Sequence, residues 1–535
     1  MENRRVVLLA LMGVIAFLLY QSWIKDYGPQ AAASSAPAAT ATETALSAGA
    51  GTARIHVVTD NMAVEIDPNG GDLRRVELLA YPVSKDKPDQ KLPLLNDRDG
   101  HWSILQSGLA GTDHSYLSSE TPLAAAQAHF DLNVSSNTLE VPLEYHDPSG
   151  FDVRKLYRFH RDSYIVDLEQ TLVNHGDRPL TVSAYARWIR TPTPAADEPP
   201  FFHSFMGYGV YEQKPGINEY RFKKLSFKDL GKGSYESVQT GGWMAMLQHY
   251  FVAAIIPAQD DKLTFSAKPS SVVPGAFIGQ YVDAQRDVAP GATQTFTTRL
   301  YIGPTSHGAL DAIARGFELT EDYGVLTPVA KPLFWLLKAF HTWTGNWGAA
   351  IILLTLTVRA AFYKLTEAQY RSSGKMRQFG PRIQQLKERY TDDREALNKA
   401  MMDLYKKEGF NPLAGCWPMF IQLPVFMALY WVLAQSVELR QAPFALWITD
   451  LTAADHYYVL PVLYGFTMWA MQKISGQTAT MDPTQARIMN VMPIALTGMF
   501  VFFPSGLVLY WVISNSISIA QQWYILRKLE REGRR

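Results

Sequence analysis

One cysteine, Cys416, in 535 residues leaves no pair for an internal disulfide and no thiolate set for a zinc site. Neither sign of charge is in excess: 50 Lys and Arg stand against 50 Asp and Glu. Without a positive surplus to displace counterions, a general nucleic-acid binder is excluded, and no specific nucleic-acid sequence is expected as a partner. No GxSxG, Walker loop or HExxH occurs. A hydrolase elbow, a nucleotide-driven pump and a zincin therefore have no support, and neither cofactor nor metal is expected. His101, His114, His160 and His203 are scattered, as structural or surface histidines are. Charged residues make up only 19% of the chain, against about 25% in soluble domains, and the length calls for two or three domains.

Where charge is missing says more. Residues 339–358, 409–437, 457–472 and 488–526 contain no Asp, Glu, Lys or Arg. The last run, as one helix, would be about 58 Å long at about 1.5 Å per residue. A bilayer core is about 30 Å thick, so that run reads as two spans broken at Pro504-Ser505-Gly506. Behind Arg4 and Arg5 lies a further apolar run, 6–20. It suits a signal peptide or a retained anchor, and Tyr20 and Trp23 fit an interfacial anchor over 1–27. The sum is six spans.

Residues 28–53 are Ala, Ser, Thr, Pro and Gly with almost no large apolar side chains, a composition for a flexible tether. From 54 to 320 short runs alternate with period two: MAVEID (62–67), TLEVPLEY (138–145), YIVDLEQTLV (164–173), LTVSAYARW (180–188), FVAAII (251–256) and TFTTRLYI (295–302). Turn residues separate them, which predicts a large antiparallel β-sandwich. Ala309, Ile313 and Phe317 predict a closing amphipathic helix over 306–318.

Charge also orients the chain. Eleven Lys or Arg fall between 364 and 408, five follow 526, and the loop 438–456 has only Arg440. The positive-inside rule puts 364–408 and both termini in the cytoplasm and the β-domain outside. Nine of thirteen tryptophans lie at or after 335, as interfacial belts require. Residues 325–342, with VAKPLFWLLKAFH at 329–341, read as an interfacial amphipathic helix or as an extension of the next span. The core is then 343–535, ending in a basic tail at 526–535.

Within the core, residues 366–411 read as a cytoplasmic helical hairpin. Met376, Phe379, Ile383, Leu386 and Tyr390 form a heptad seam, and Leu397, Met401 and Leu404 (with Tyr405) face it. Gly380-Pro381 should disturb or restart the first helix. Asp392 with Glu395 matches a capping box. The basic face suits either solvation or docking of RNA or protein.

Arg359, in IILLTLTVRAAFYK, is the informative residue. An arginine among spanning apolar residues needs water or a partner. No acid lies within the five later spans. Counted along a straight helix, it lies about 7.5 Å deeper than Lys364, which allows snorkelling or a water-filled cavity open to the cytoplasm. Thr355 shares its face. Gln422, Gln435, Ser514, Asn515 and Ser518 are further polar candidates. Eleven of seventeen methionines lie between 376 and 499, suiting either gap-filling or an adaptable apolar surface.

Three stretches resemble the YidC/Oxa/Alb family of membrane protein insertases: GNWGAAIILLTLTVRAAFYKLTEAQYRSSGKM (345–376), GFNPLAGCWPMFIQLPVFMALYWVL (409–433) and FFPSGLVLYWVISNSISIAQQWYI (502–525). Anchor, tether and β-domain match the Gram-negative bacterial subtype. The resemblance implies five core spans around a hydrophilic groove, closed on the outside. It carries the groove arginine to Arg359 and groove positions to Thr355, Gln422 and Tyr510, with Phe426 beside them. It implies a β-supersandwich of the sugar-mutarotase type without that activity. It implies a bacterial inner-membrane chaperone that does no covalent chemistry. Its partners would be nascent membrane proteins, the Sec translocon and its accessory subunits, the ribosome and targeting factors, and the lipid bilayer. Two other readings stand beside it: a small-solute secondary transporter, which needs paired charges at mid-membrane, and a membrane-tethered carbohydrate enzyme.

Overall fold

The structure, a computed structural model, describes residues 53–98, 100–112, 114–193, 205–214, 219–305, 310–321, 323, 326–390, 393–407, 417–475 and 483–532. The expected anchor, nearly all of the expected tether, His203 and Asp392 lie outside the described residues.

Period-two patterning becomes two facing sheets of twelve and nine strands. Along Ile165–Asn174 every second residue, from Val166 to Asn174, is buried, and those between are half-covered. The neighbours in the nine-stranded sheet are Phe151–His160 and Thr293–Pro304, both antiparallel to it. In the other sheet Leu180–Arg190 lies between Ser103–Gly111 and Phe277–Asp283. Trp188, Trp243, Tyr157, Phe159 and Phe265 fill the space between the sheets.

Polar side chains also cross that space. Lys155 donates to Gly70 O (2.7 Å) and Ser107 O (3.0 Å), Gln106 Nε2 to Asp72 Oδ2 (3.0 Å), and Arg187 Nε to Gln106 Oε1 (2.8 Å). All four are enclosed, at 0–1% exposure. Burial lowers the Lys155 ammonium to a pKa of about 8, against the opposing attraction of Asp72.

The closing helix expected at 306–318 does not form as one element. The described part holds two 3-10 turns, Leu310–Ala312 and Phe317–Thr320, parted by Gly316 in the left-handed region (φ 77°). Phe317 is fully buried against Trp243 (ring centroids 5.0 Å) and Tyr301 (5.3 Å). Sinking that ring into the core outweighs the helical period, and Ala309 lies outside the described residues.

Among the described residues eight helices follow: α1 (Thr327–Thr344), α2 (Trp347–Ala361), α3 (Tyr363–Arg389), α4 (Arg394–Lys407), α5 (Trp417–Gln435), α6 (Val459–Ser475), α7 (Pro483–Phe500) and α8 (Ser505–Glu532). Gly345, left-handed at φ 64°, ends α1 by donating to His341 O, and Asn346 Oδ1 caps α2 by accepting from Ala349 N at 2.9 Å. α8 packs on α2, α3, α5 and α6, while α1 covers α2 and α5. Leu354, Ala428, Leu429, Val432, Val508 and Leu509 centre this second core. Outward, α6 and α7 expose Val462, Phe466, Trp469, Ile488, Val491 and Ile494, the inverse of a soluble surface.

Among the described residues no single helix is long and apolar enough to cross a membrane. One bent pair, Trp347–Ala361 with Tyr363–Arg371, meets that test together, with an angle of 61° between its parts. The break expected at Pro504-Ser505-Gly506 falls between α7 and α8, where Ser505 N donates to Ala453 O (2.7 Å) and Gly506 N to Leu451 O (2.8 Å).

The hairpin differs from expectation twice. Gly380-Pro381 does not restart a helix: α3 runs through it, since the proline removes one backbone donor while the turns on either side keep theirs. The cap of α4 is Asp393, whose Oδ1 accepts from Glu395 N (3.0 Å) and Ala396 N (2.9 Å), rather than Asp392. Ile383 is buried, and Leu386, Tyr390, Leu397, Met401 and Leu404 are half-buried. The side chains of Met376 and Phe379 lie outside the described residues.

Between α5 and α6, residues 437–456 form a cap over the chain's α2 and α8 ends. Ser505 Oγ donates to Asp450 O (2.6 Å), and Asn346 Nδ2 to Phe444 O (2.8 Å). The same segment grips the β-domain. Arg440 donates from Nη1 to Pro82 O (2.9 Å) and from Nη2 to Val83 O (3.2 Å), and Gln441 Nε2 donates to Pro82 O (3.1 Å). Nearby, His249 Nε2 donates to Ala434 O at 2.9 Å.

Candidate functional site

Arg359 lies in the last turn of α2, half-buried. Three residues on, Phe362 leaves helical torsion angles (φ −90°, ψ 9°), and the chain turns into α3. Depth counted along a straight helix from Lys364 is therefore superseded: the 61° bend separates the two residues. Thr355 and Thr357, which donate back to Ile351 O (2.6 Å) and Leu353 O (2.9 Å), lie in the turns leading to it.

With no acid within reach in the sequence, the guanidinium takes a hydroxyl. Arg359 Nε donates to Ser514 Oγ on α8 at 3.1 Å, and Nη2 reaches the same oxygen. Ser514 is 3% exposed. Among the described residues no carboxylate pairs with Arg359. Tyr370, on α3, lies near Ser518 and within electrostatic reach of Arg359. Ser518 Oγ in turn donates to Ser514 O at 2.9 Å. A cation with neutral partners keeps its charge unneutralised, and that charge attracts a carboxylate brought by another chain.

Of the expected site residues, Thr355 sits one turn from Arg359, with its hydroxyl spent on the helix backbone and its side chain fully buried. Tyr510, 3% exposed, lies one turn before Ser514 on α8 and packs face to face with Phe426 of α5, centroids 6.4 Å apart. Phe426 also stacks on Trp511 at 5.0 Å. Gln422 lies on α5, one turn from Phe426, and its side chain lies outside the described residues. Asn515 Nδ2 donates to Thr467 Oγ1 at 3.3 Å, tying α8 to α6. Sequence spacing did not signal the Ser514 pairing, because α2 and α8 are 155 residues apart at this contact. Nor did it single out Tyr370. No group of His, Cys, Asp or Glu among the described residues could hold a metal ion.

Residues 54–336 match the family profile "YidC periplasmic domain", and residues 339–532 match "60Kd inner membrane protein". The chain is 42% identical over 556 aligned residues to a membrane protein insertase YidC of Nitrosococcus oceani, covering all of both chains. It is 41% identical over 554 residues to that of Methylococcus capsulatus, again over all of both. A solved active YidC insertase with its first transmembrane domain resolved aligns with 89% of this chain and 93% of its own, at 17% identity and a TM-score of 0.39.

Proposed function

The chain belongs to the YidC family of membrane protein insertases, and from that premise we propose that Arg359 marks the groove through which a client's polar flank crosses. The protein inserts polypeptide segments into the inner membrane, and its family is not enzymatic. Entry of an apolar helix is downhill by about 0.3–0.6 kcal/mol per Leu-like residue, whereas an Asp at the bilayer centre costs about 2.5–3.5 kcal/mol. The barrier is the polar flank. A wet groove part-way through the membrane shortens its path, and an unneutralised guanidinium lowers the cost for acidic flanks.

The observation that carries this reading is the pairing of Arg359 with Ser514 instead of a carboxylate. Thr355, Gln422, Phe426 and Tyr510 are the positions assigned to the client's path, and Thr355 and Tyr510 are buried until a client parts the helices. Six spans with both termini in the cytoplasm, over the segments 1–27, 28–53, 54–320, 325–342 and 343–535, are the arrangement that the positive-inside pattern supports. The hairpin 366–411, with its seam from Met376 to Leu404, serves as the arm for ribosome and targeting factors, and the Sec translocon with its accessory subunits shares some clients. A small-solute transporter would need paired charges at mid-membrane, which Arg359 and Ser514 do not supply.

Site-specific photocrosslinking from positions 355, 422, 426 and 510 to a stalled nascent membrane protein tests this path. Adducts at these positions, with none from the exposed Val134 of the β-domain, are the expected result. Adducts absent at all four would overturn it. Deleting 60–310 is expected to leave the essential insertion activity in place.

A further inference from the structure

The cap between α5 and α6 ends in a turn whose apex is built against its own backbone preference. Phe444 N donates to Ile448 O (3.0 Å) and Ile448 N to Ala445 O (3.0 Å), closing the tight turn Ala445–Ile448. Leu446, its first central residue, has φ +55°. That position favours Gly, Asn or Asp, because a side chain there crowds the backbone. The leucine gains no burial in return: it is 88% exposed, among the most exposed large apolar residues described. From Gln441 to Thr449 the segment QAPFALWIT carries no charge, while Arg440 and Asp450 bound it.

The turn is also held firmly. Phe444 O accepts from Asn346, the residue that caps α2. Phe444 packs so closely on Gly348 that a Cβ there would collide with its ring. Ile448 is buried in the helical core, and Asp450 Oδ1 accepts from Gln441 N at 3.2 Å. Leu446 therefore projects from a fixed frame at the level of the first turn of α2. Trp343, 78% exposed, stands in the last turn of α1 just before that level, and Trp335 of the same helix is 70% exposed. An exposed apolar tip and exposed tryptophans, on a core whose α6 and α7 also present bare apolar faces, have the make-up of a membrane interface.

We propose that the turn Ala445–Ile448 seats Leu446 among the acyl chains of the outer leaflet, with Trp343 beside it. The occupant of this surface is lipid, which repays the strained torsion by burying the side chain. The inference rests on the reading that the helical core is embedded in the membrane. The outer cap is thus fastened to lipid as well as to α2, α8 and the β-domain.

The test uses the full chain with Cys416→Ser, reconstituted in phosphatidylethanolamine–phosphatidylglycerol vesicles without other protein. A polarity-sensitive fluorophore is placed at Leu446→Cys, at Phe466→Cys on the bare face of α6, and at Val134→Cys, 93% exposed in the β-domain. Brominated acyl lipids are expected to quench positions 446 and 466 severalfold more than 134, and iodide is expected to quench 134 most. If 446 behaves like 134 while 466 is quenched by bromolipid, the proposal fails, and a protein partner or bare solvent covers the turn. If 466 also behaves like 134, the membrane-embedded reading of the core fails first. Leu446→Gly relieves the torsion and is expected to fold, yet to loosen the cap, seen as faster amide exchange over 441–450.

Discussion

Arg359 and Ser514, one in the last turn of α2 and the other in the middle of α8, share a hydrogen bond of 3.1 Å from Nε to Oγ. The serine orients the guanidinium without cancelling its charge. Two opposite charges 4 Å apart are worth about 1 kcal/mol in water and about 4 kcal/mol at a partly buried site. Arg359→Ala is therefore expected to slow insertion of clients with acidic translocated flanks by at least about fivefold. Arg359→Lys, which keeps the charge, should retain most activity. Insertion rates into vesicles, measured for matched acidic and neutral flanks, check this; equal rates in all variants would reduce Arg359 to an anchor.

Ser514 acts through Arg359, so its removal should matter less. Ser514→Ala is expected to slow acid-flanked clients only about two- to threefold, near the lower end of the about 0.5–1.5 kcal/mol that a lost hydrogen bond costs. Ser514→Thr, which keeps a hydroxyl, should restore the rate. Crosslinking yield from position 355 should shift in Ser514→Ala alone.

The enclosed Lys155 gives a pH dependence. Its folded pKa, about 8, lies below its ordinary value of 10.5 because burial disfavours the ammonium. Between those two values the unfolded chain binds the proton and the folded chain does not, so stability rises with pH across that window. The full gain is on the order of 3 kcal/mol. Near-ultraviolet circular dichroism of the buried Trp188 and Trp243 should show the β-domain melting later as pH rises from 8 towards 10.5. Lys155→Met should lack that rise.

Arg440 ties the cap to the β-domain by two donors. Losing charged hydrogen bonds of this kind costs about 1.5–3 kcal/mol. Arg440→Ala should speed amide exchange in 437–451 at least about tenfold, without altering exchange in the central strand Ile165–Asn174.

Gly348 has no room for a side chain beneath Phe444. Gly348→Ala is expected to cost about 1–3 kcal/mol by overpacking. A lower aggregation temperature in detergent, eased by Phe444→Leu, would report it.

Alternation and turn residues placed six strands of the β-domain correctly, because a pleated strand writes its burial into every second residue. The helix expected at 306–318 was misread because a fixed spacing of apolar residues cannot reveal that Gly316 turns left-handed and sends Phe317 into a sheet core. Two helices, α3 and α4, lie where the seam pattern falls, and the cap of α4 is one residue on from the one expected. Arg359 stood out as a charge in an apolar run. Its partner did not, since Ser514 is one of several small polar residues on α8 and only the folded packing chooses among them. The bend at Phe362 left no sequence mark either: neither proline nor glycine lies there.

The joint between the β-domain and the helices draws side-chain donors from both sides. Arg440 and Gln441 donate to the main-chain oxygens of Pro82 and Val83, while Lys85 and His249 of the β-domain donate to Thr449 O and Ala434 O. Replacement at 82 or 83 preserves those acceptors so long as the strand keeps its path, while replacement at 440 removes the donors outright. Each half is therefore held to its own donors, at 440 and 441 on the helical side and at 85 and 249 on the other, and is free to vary where it supplies only backbone.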